Sequence, residues 1–550
     1  MMRFVLILHS HLPWVLHHGR WPHGSDWLSE AAVDTYLPLL AALDHAEQTG
    51  VATPFTLGIT PVLAAQLAEP MFRSELEGWF AHRFEALAEA PAALRASGDE
   101  ALLPLVPHWH AHLTAMHNLW RRHEGDLITA FRRHMEAGRI ELISSAATHG
   151  FLPLLARDES IRLQLLTGRA EHLRHFGVLP TGCWLPECAY RPRGPWQPWP
   201  SAPGQPVRRG IEEHLRHAGF RWFTVDSHLA DAGEAWEVYE AVATRPVMPS
   251  IRSPYRAYEV GSRPAGRGRP VHVVVRDPRT TAQVWSRYGG YPGDGRYLEF
   301  HKIRYPGGLK FWAVTSPSSD LADKARYRPE AAAAAVEEHA DHFRGLLGGI
   351  IAAAGPGDGA IVAPFDTELF GHWWHEGVDF LAALYDGLHR DAAIPASTAG
   401  GWLKEMPPTT SIRMQEGSWG ANGDFSKWLN HETAWTWERL WPLEGRFWEL
   451  VPAALARPEL SPVLEQAARE LLLAQSSDWQ FIISTGAAGD YATERFVGHC
   501  EALEELLSLL ESPDTDPMVA RARAAALQQI DGPFPSLLGA IAAASDVTAP

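Results

Sequence analysis

Seven short apolar runs alternate with longer stretches of helical periodicity over roughly the first 395 residues of this 550-residue chain, and this alternation limits the available folds more than any other feature. The runs are Phe4 to Leu8, Pro54 to Ile59, Ile140 to Ser144, Thr181 to Leu185, Phe220 to Val225, Val271 to Val275 and Ile361 to Pro364. A period near two that keeps giving way to a period near 3.6 is how repeated βα units look in sequence, and such units assemble around a parallel sheet. Seven of them predict an α/β fold, a distorted (β/α)7 barrel spanning 1–398. The helices between have readable ends. Asp158 is placed to cap Glu159 to Phe176 before Gly177, His110 to Ala137 stops at Gly138, and Ile211 to Ala218 stops at Gly219.

Two stretches interrupt the repeat. Residues of about 188–219 form a loop and helical insertion whose Pro/Gly-rich part, Arg191 to Val207, carries Trp196 and Trp199 beside Glu187. Residues of about 227–270 are expected to be a mobile loop, with a basic Gly/Pro segment at Ser262 to Pro270. Beyond about residue 400 strand signals fade, and Ser461 to Gln475, Thr493 to Leu510 and Pro517 to Ile530 read as amphipathic helices. Residues 399–550 are therefore expected to be an all-α carboxy-terminal domain closing a cleft on the barrel.

Parallel barrels gather their chemistry at the carboxyl ends of the strands. His9 and His11 end the first run, His149 follows the third, Glu187 the fourth, Asp226 the fifth, Arg276 and Asp277 the sixth, and Asp366 the seventh. Taken singly, Asp226 and Asp277 are more often caps or turns. Glu187 and Asp366 stand out because each lies among Trp, Tyr and His, the surroundings of a sugar ring held between aromatic faces and worked on by two carboxyl groups. One would attack the anomeric carbon while the other donates a proton. The residues alone leave open which does which. Trp21, Trp27, Trp285, Trp402, Trp419 and Trp428 lie in loop-like contexts and offer a glucan-stacking platform, although each could equally pack the barrel against the helical part.

Composition excludes other ligand classes. A formal charge of −17 argues against nucleic acid and anionic membranes, which are bound by basic patches. No apolar stretch approaches the roughly 18 residues of a membrane span. Three cysteines, Cys183, Cys188 and Cys500, without C-x-x-C spacing favour a reducing compartment over a disulfide framework. The run Met1 to Leu8 reads as a first strand, not a signal peptide, and a cytoplasmic location is expected.

The blocks His9-Ser10-His11-Leu12-Pro13, Ala147 to Pro153, Trp184 to Tyr190 and Phe365 to Trp374, in this order, resemble those of glycoside hydrolase family 57, in particular its α-1,4-glucan branching members. The resemblance covers nearly the whole chain. It implies Glu187 as nucleophile, Asp366 as general acid/base and no metal or other cofactor. It further implies that His9, His11, His149, Arg276, Trp285 and Asp478 line the site near the cleaved bond, and that Trp21, Trp27, Trp419 and Trp428 hold glucan farther out. An α-1,4-glucan is the implied partner, handled by a monomer. A tyrosine-bearing loop is implied within Ser227 to Arg269, where Tyr239, Tyr255 and Tyr258 are candidates.

An α-amylase or a 4-α-glucanotransferase would keep the same two carboxylates. A more distant alternative is a metal-dependent polysaccharide deacetylase using the His-x-His pair with Asp226 or His149. A non-catalytic glucan binder is the third.

Overall fold

The computed structural model describes residues 1–20, 23–198, 206–235, 250–261, 269–286, 289–316 and 318–546. Trp21, Trp199, Tyr239 and residues 262–268 lie outside them. All seven expected strands form: β1 (Met2–Ser10), β2 (Phe55–Ile59), β3 (Ile140–Ser145), β4 (Gly182–Trp184), β5 (Trp222–Val225), β6 (Val271–Val275) and β7 (Gly359–Asp366). They run parallel in the order β7-β1-β2-β3-β4-β5-β6.

The sheet curls until Arg276, just past β6, bridges Val362 of β7, and the Asp277 amide donates to the Val362 carbonyl at 2.8 Å. Below that contact the seam is wedged open. A short strand, Tyr258–Val260, pairs antiparallel with β6 and carries Ser411–Ile412 on its far side, while the Ala360 amide of β7 donates to the Tyr255 carbonyl at 3.0 Å. The barrel is distorted because this wedge parts two strands that meet where the carboxyl end of β6 reaches the middle of β7.

Side-chain alternation along the strands sets what reaches the mouth. On β1, Phe4, Leu6 and Leu8 pack outward against the surrounding helices, while Val5 and Ile7 pack inward with Ile143, Trp184, Trp222, Val274 and Val362. His9 shares the parity of Val5 and Ile7, and Asp366 that of Ala360 and Val362. The register pairs His9 with Asp366, so both enter the mouth at one level. The inner core also contains Ala399, Trp402 and Leu403 from the helix Ala399–Glu405. Trp402 is thus a core residue and no part of a sugar platform, a correction that follows from its apolar surroundings.

Two helix ends differ from expectation. Asp158 lies in the first turn of Asp158–Phe176 without capping it, because its carboxylate is taken by Arg208 at 2.5 Å; Gly177 ends that helix in the left-handed region at φ 75°. The expected His110 to Ala137 helix is two, Leu105–Arg122 and Leu127–Glu136. Glu124 and Gly125 turn left-handed between them, and Asp126 caps the second by accepting from the Thr129 amide at 2.9 Å.

Farther along, the helices Ala434–Leu455, Ser461–Ala474, Ser477–Thr485, Gly489–Glu511 and Pro517–Gln528 pack together. Ser461–Ala474 is buried on nearly every face and forms their centre. No helix among the described residues is long and apolar enough to cross a membrane. Cys183, Cys188 and Cys500 are buried free thiols.

Candidate active site

Glu187 follows β4 in a turn that few side chains tolerate. Its φ is 58°, and Cys188 (φ 48°) and His149 (φ 58°) share the left-handed region. Each such residue costs about 1 kcal/mol or more, strain that persists only where surrounding contacts enforce it. Here the loop at Gly417 supplies them: Tyr190 and Gly417 exchange backbone hydrogen bonds of 2.8 and 3.1 Å, and the Trp419 amide donates to the Glu187 carbonyl at 3.1 Å. Gly417 lets that loop fold back on itself, since a Cβ there would lie 2.3 Å from the Gly423 carbonyl oxygen.

The Glu187 carboxylate accepts from Trp419 Nε1 at 2.9 Å on Oε2 and from the Ser477 hydroxyl at 2.8 Å on Oε1. Burial nevertheless pushes its pKa up to about 7. Ser477 arrives because the helical region breaks after Ala474: the Ser477 amide donates to the His149 carbonyl at 3.1 Å and Gly150 bridges Ser476.

Asp366 lies at the end of β7 and has no hydrogen-bond partner for its carboxyl group among the described residues. Burial, then the charges of Glu368 and Glu187, raise its pKa well above the usual carboxylate range, against the opposing charge of Arg276. One wall therefore carries a carboxylate restrained by two donors, and another a carboxyl group held in its acid form. Two carboxyl groups so differentiated can act as nucleophile and acid in glycosyl transfer.

Three stacked imidazoles join them. His9 lies over Trp184 at 4.5 Å between ring centres, and His11 over His149 at 4.1 Å. His9 Nε2 meets His149 Nε2 at 3.0 Å, His149 Nδ1 meets the Ser477 hydroxyl at 2.9 Å, and His11 bonds Thr60 at 3.1 Å and Asp478 Oδ2 at 2.8 Å. Burial and neighbouring imidazoles hold His9 well below the ordinary histidine pKa; burial does the same to His149, with the charge of His11. Burial also opposes a charge on His11, but Asp478 overcomes it and raises the pKa, while Asp478, despite burial, is lowered by His11. His11, His149 and Asp478 bring ligand-type atoms within 4.8 Å of one another. Every ring nitrogen of the two histidines already has a protein partner, so the trio is a hydrogen-bonded network and not an open ligand set.

Residues 5–415 match the family model described as glycosyl hydrolase family 57. The chain belongs to that family. Residues 442–538 match a second model, 1,4-alpha-glucan branching enzyme, C-terminal. A 1,4-alpha-glucan branching enzyme of Thermococcus kodakarensis is 39% identical over 511 residues, covering 92% of this chain and 73% of that one. Its crystal structure superposes with a TM-score of 0.89 at 37% identity over 98% of this chain and 96% of that one. A branching enzyme from Pyrococcus horikoshii gives 0.88 at 34% over 100% and 98%, and an alpha-amylase from Thermotoga maritima gives 0.79 at 27% over 98% and 99%.

In this family 57 chain, a cleft of about 370 Å³ is lined by His9, His11, His149, Glu187, Asp366, Asp478, Trp27, Trp285 and Trp419, bringing together most of the residues expected there. Others are displaced. Arg276 lies behind the cleft, bonded to Thr281 at 2.8 Å and facing Asp226 at 3.5 Å and the Trp419 ring at 5.4 Å. Trp428 is buried and stacked on Phe151 at 4.6 Å, with Phe481 between it and the cleft. Asp277 caps the helix Pro278–Trp285. Tyr258 donates to the Ser253 carbonyl at 2.8 Å, and neither it nor Tyr255 lines the cleft. Trp196 packs against Trp441.

Unanticipated lining residues include Glu368, His372, Trp373, Phe481 and Tyr491. Glu368 lies two positions past Asp366 and accepts on Oε1 from Tyr36 at 2.5 Å and the His11 amide at 3.1 Å. Its signal was present: an acid inside the Phe365 to Trp374 block. Ser477 likewise sits beside the expected Asp478.

Proposed function

We propose that this chain is a retaining 1,4-α-glucan branching enzyme that cleaves an α-1,4 bond and rejoins the released chain through an α-1,6 bond. The carrying observation is that residues 442–538, which supply Asp478 to the cleft and the Ser477 hydroxyl to Glu187, match the branching-enzyme carboxy-terminal model. The branching enzymes named above support it at higher identity than the amylase.

In the first step Glu187 attacks the anomeric carbon, the bond to O4 breaks, and Asp366 gives its proton to the leaving chain. The ionised Asp366 then removes the proton from the 6-hydroxyl of an acceptor glucose, whose oxygen displaces Glu187. Trp419 and Ser477 hold the nucleophile throughout, and Trp27, Trp285 and Trp419 offer apolar faces to the sugar. The stacked rings of His9, His11 and His149, with the His11–Asp478 pair, form one wall of the cleft. The helices from Ala434 onward act as the part that closes over the barrel, whereas Ala399–Glu405 and Ser411–Ile412, expected in that part, belong to the barrel itself. The setting is glycogen-type glucan synthesis by a cytoplasmic monomer.

The likeness to the Thermotoga maritima amylase favours one competing reading, in which water completes the second step. Incubation with amylose followed by a debranching enzyme separates them: branching yields newly debranchable chains, whereas new reducing ends without such chains would replace the proposal with hydrolysis.

A further inference from the structure

A second cavity adjoins the segment that carries Asp366, and nothing in the reaction above uses it. Its walls are Trp79 and Arg83 of the helix Pro70–Ala96, Trp109 and His112 of Leu105–Arg122, and Asp34, Lys310 and His375. We propose that this cavity binds one hexosyl unit of an α-glucan as a non-catalytic sugar site, the choice of sugar resting on the glucan reading above.

Size and chemistry both support this. The cavity's free volume of about 80 Å³ is several times the roughly 10–15 Å³ that a single water needs, room for a ring-sized solute. Trp79 and Trp109 supply indoles to the wall. Over Trp79 lies the Arg83 guanidinium, 4.7 Å from the ring centre and held by Glu30 at 2.8 Å. Asp34 and the Lys310 ammonium, 3.4 Å apart, place acceptor and donor side by side as hydroxyl groups require. Glu30 and Asp34 balance Arg83 and Lys310 in charge, and burial holds the His375 pKa down to about 3, so the lining favours a neutral polyol over an ion. Trp109 Nε1 and His112 Nε2 are buried without a hydrogen-bond partner, an arrangement that native structures rarely leave unanswered.

The cavity is also tied to the catalytic segment. Asp34 lies on a single π-helical turn, Ala32–Tyr36, a feature often found at functional positions. The same turn accepts the His372 amide on Thr35 Oγ1 at 3.0 Å and donates from Tyr36 to Glu368. It approaches Gly371 so closely that a Cβ there would lie 1.9 Å from the Asp34 carbonyl oxygen. A sugar in the cavity therefore rests on the turn that positions the acid/base segment.

Calorimetric titration of the full chain carrying Glu187→Gln with maltose tests the site, with crystal soaks in maltose to locate it. Two binding sites are expected, one in the cleft. Leu113→Phe, at another residue of the cavity wall, narrows the cavity and should abolish the second, and Trp109→Phe, which removes the indole N–H together with its five-membered ring, should weaken it about tenfold. Should Leu113→Phe fail to fold, Trp109→Phe and the soak decide. Binding in the cleft alone, density in the cleft but not the cavity, or a second site unchanged in folded variants overturns the inference. Maltose bound nowhere would overturn the glucan reading with it.

Discussion

Ser477 donates its hydroxyl to Glu187 Oε1 at 2.8 Å although 290 residues separate them. The barrel supplies the carboxylate, and the helical region supplies a group that restrains it. Removing the donor weakens stabilisation of the ionised form. Ser477→Ala should therefore raise the Glu187 pKa from its value of about 7, moving the acid limb of the pH profile of kcat/KM to higher pH. An unchanged acid limb in a folded variant would detach that limb from Glu187.

Glu368 acts on the other carboxyl group. Its charge is the foremost electrostatic influence keeping Asp366 protonated, after burial itself. Glu368→Gln should lower the Asp366 pKa and shift the alkaline limb to lower pH, opposite in sense to the effect of Ser477→Ala. The pH profile of the variant checks this.

The His11–Asp478 pair has a stability signature. The raised pKa of His11 contributes stability that is present below its unfolded value of 6.5 and lost as pH rises through the folded value. The lowered pKa of Asp478 contributes stability present above 3.8 and lost as pH falls. Asp478→Asn leaves a buried imidazole without its counter-charge and should cost about 3 kcal/mol. The deficit, followed by thermal unfolding, should be greatest between about pH 4 and 6.5 and shrink on either side.

The two fates of the tryptophans separate by experiment. Trp402→Ala empties part of the barrel interior and should cost about 3–5 kcal/mol, lowering Tm. Trp285→Ala removes a cleft wall and should raise KM with a smaller change in Tm. Measuring Tm and KM for both variants checks the contrast.

Much of this was legible in the sequence for a physical reason. Strand parity carries His9 inward above Val5 and Ile7, and Asp366 above Ala360 and Val362, so recognising the strands also placed the mouth. The break at His123 to Asp126 was written as Gly125 followed by a capping Asp126 and escaped only because the periodicity on either side is continuous. Trp402 and Trp428 were not legible, since an indole in a loop-like stretch looks alike whether its partner is a sugar or, as for Trp428, Phe151. The left-handed turn at Glu187 was invisible too, because contacts from Trp419 and Ser477, remote in sequence, sustain it.

The division of labour between Glu187 and Asp366 is tested most directly by trapping the intermediate. Asp366→Ala cannot protonate a sugar leaving group, but an α-maltosyl fluoride donor needs little protonation and should still glycosylate the enzyme, which then lacks the base to release it. Peptide mass spectrometry after acid quench should find whole hexose units attached to the peptide containing Glu187. Attachment to any other residue, or none while fluoride is released, would contradict the assignment.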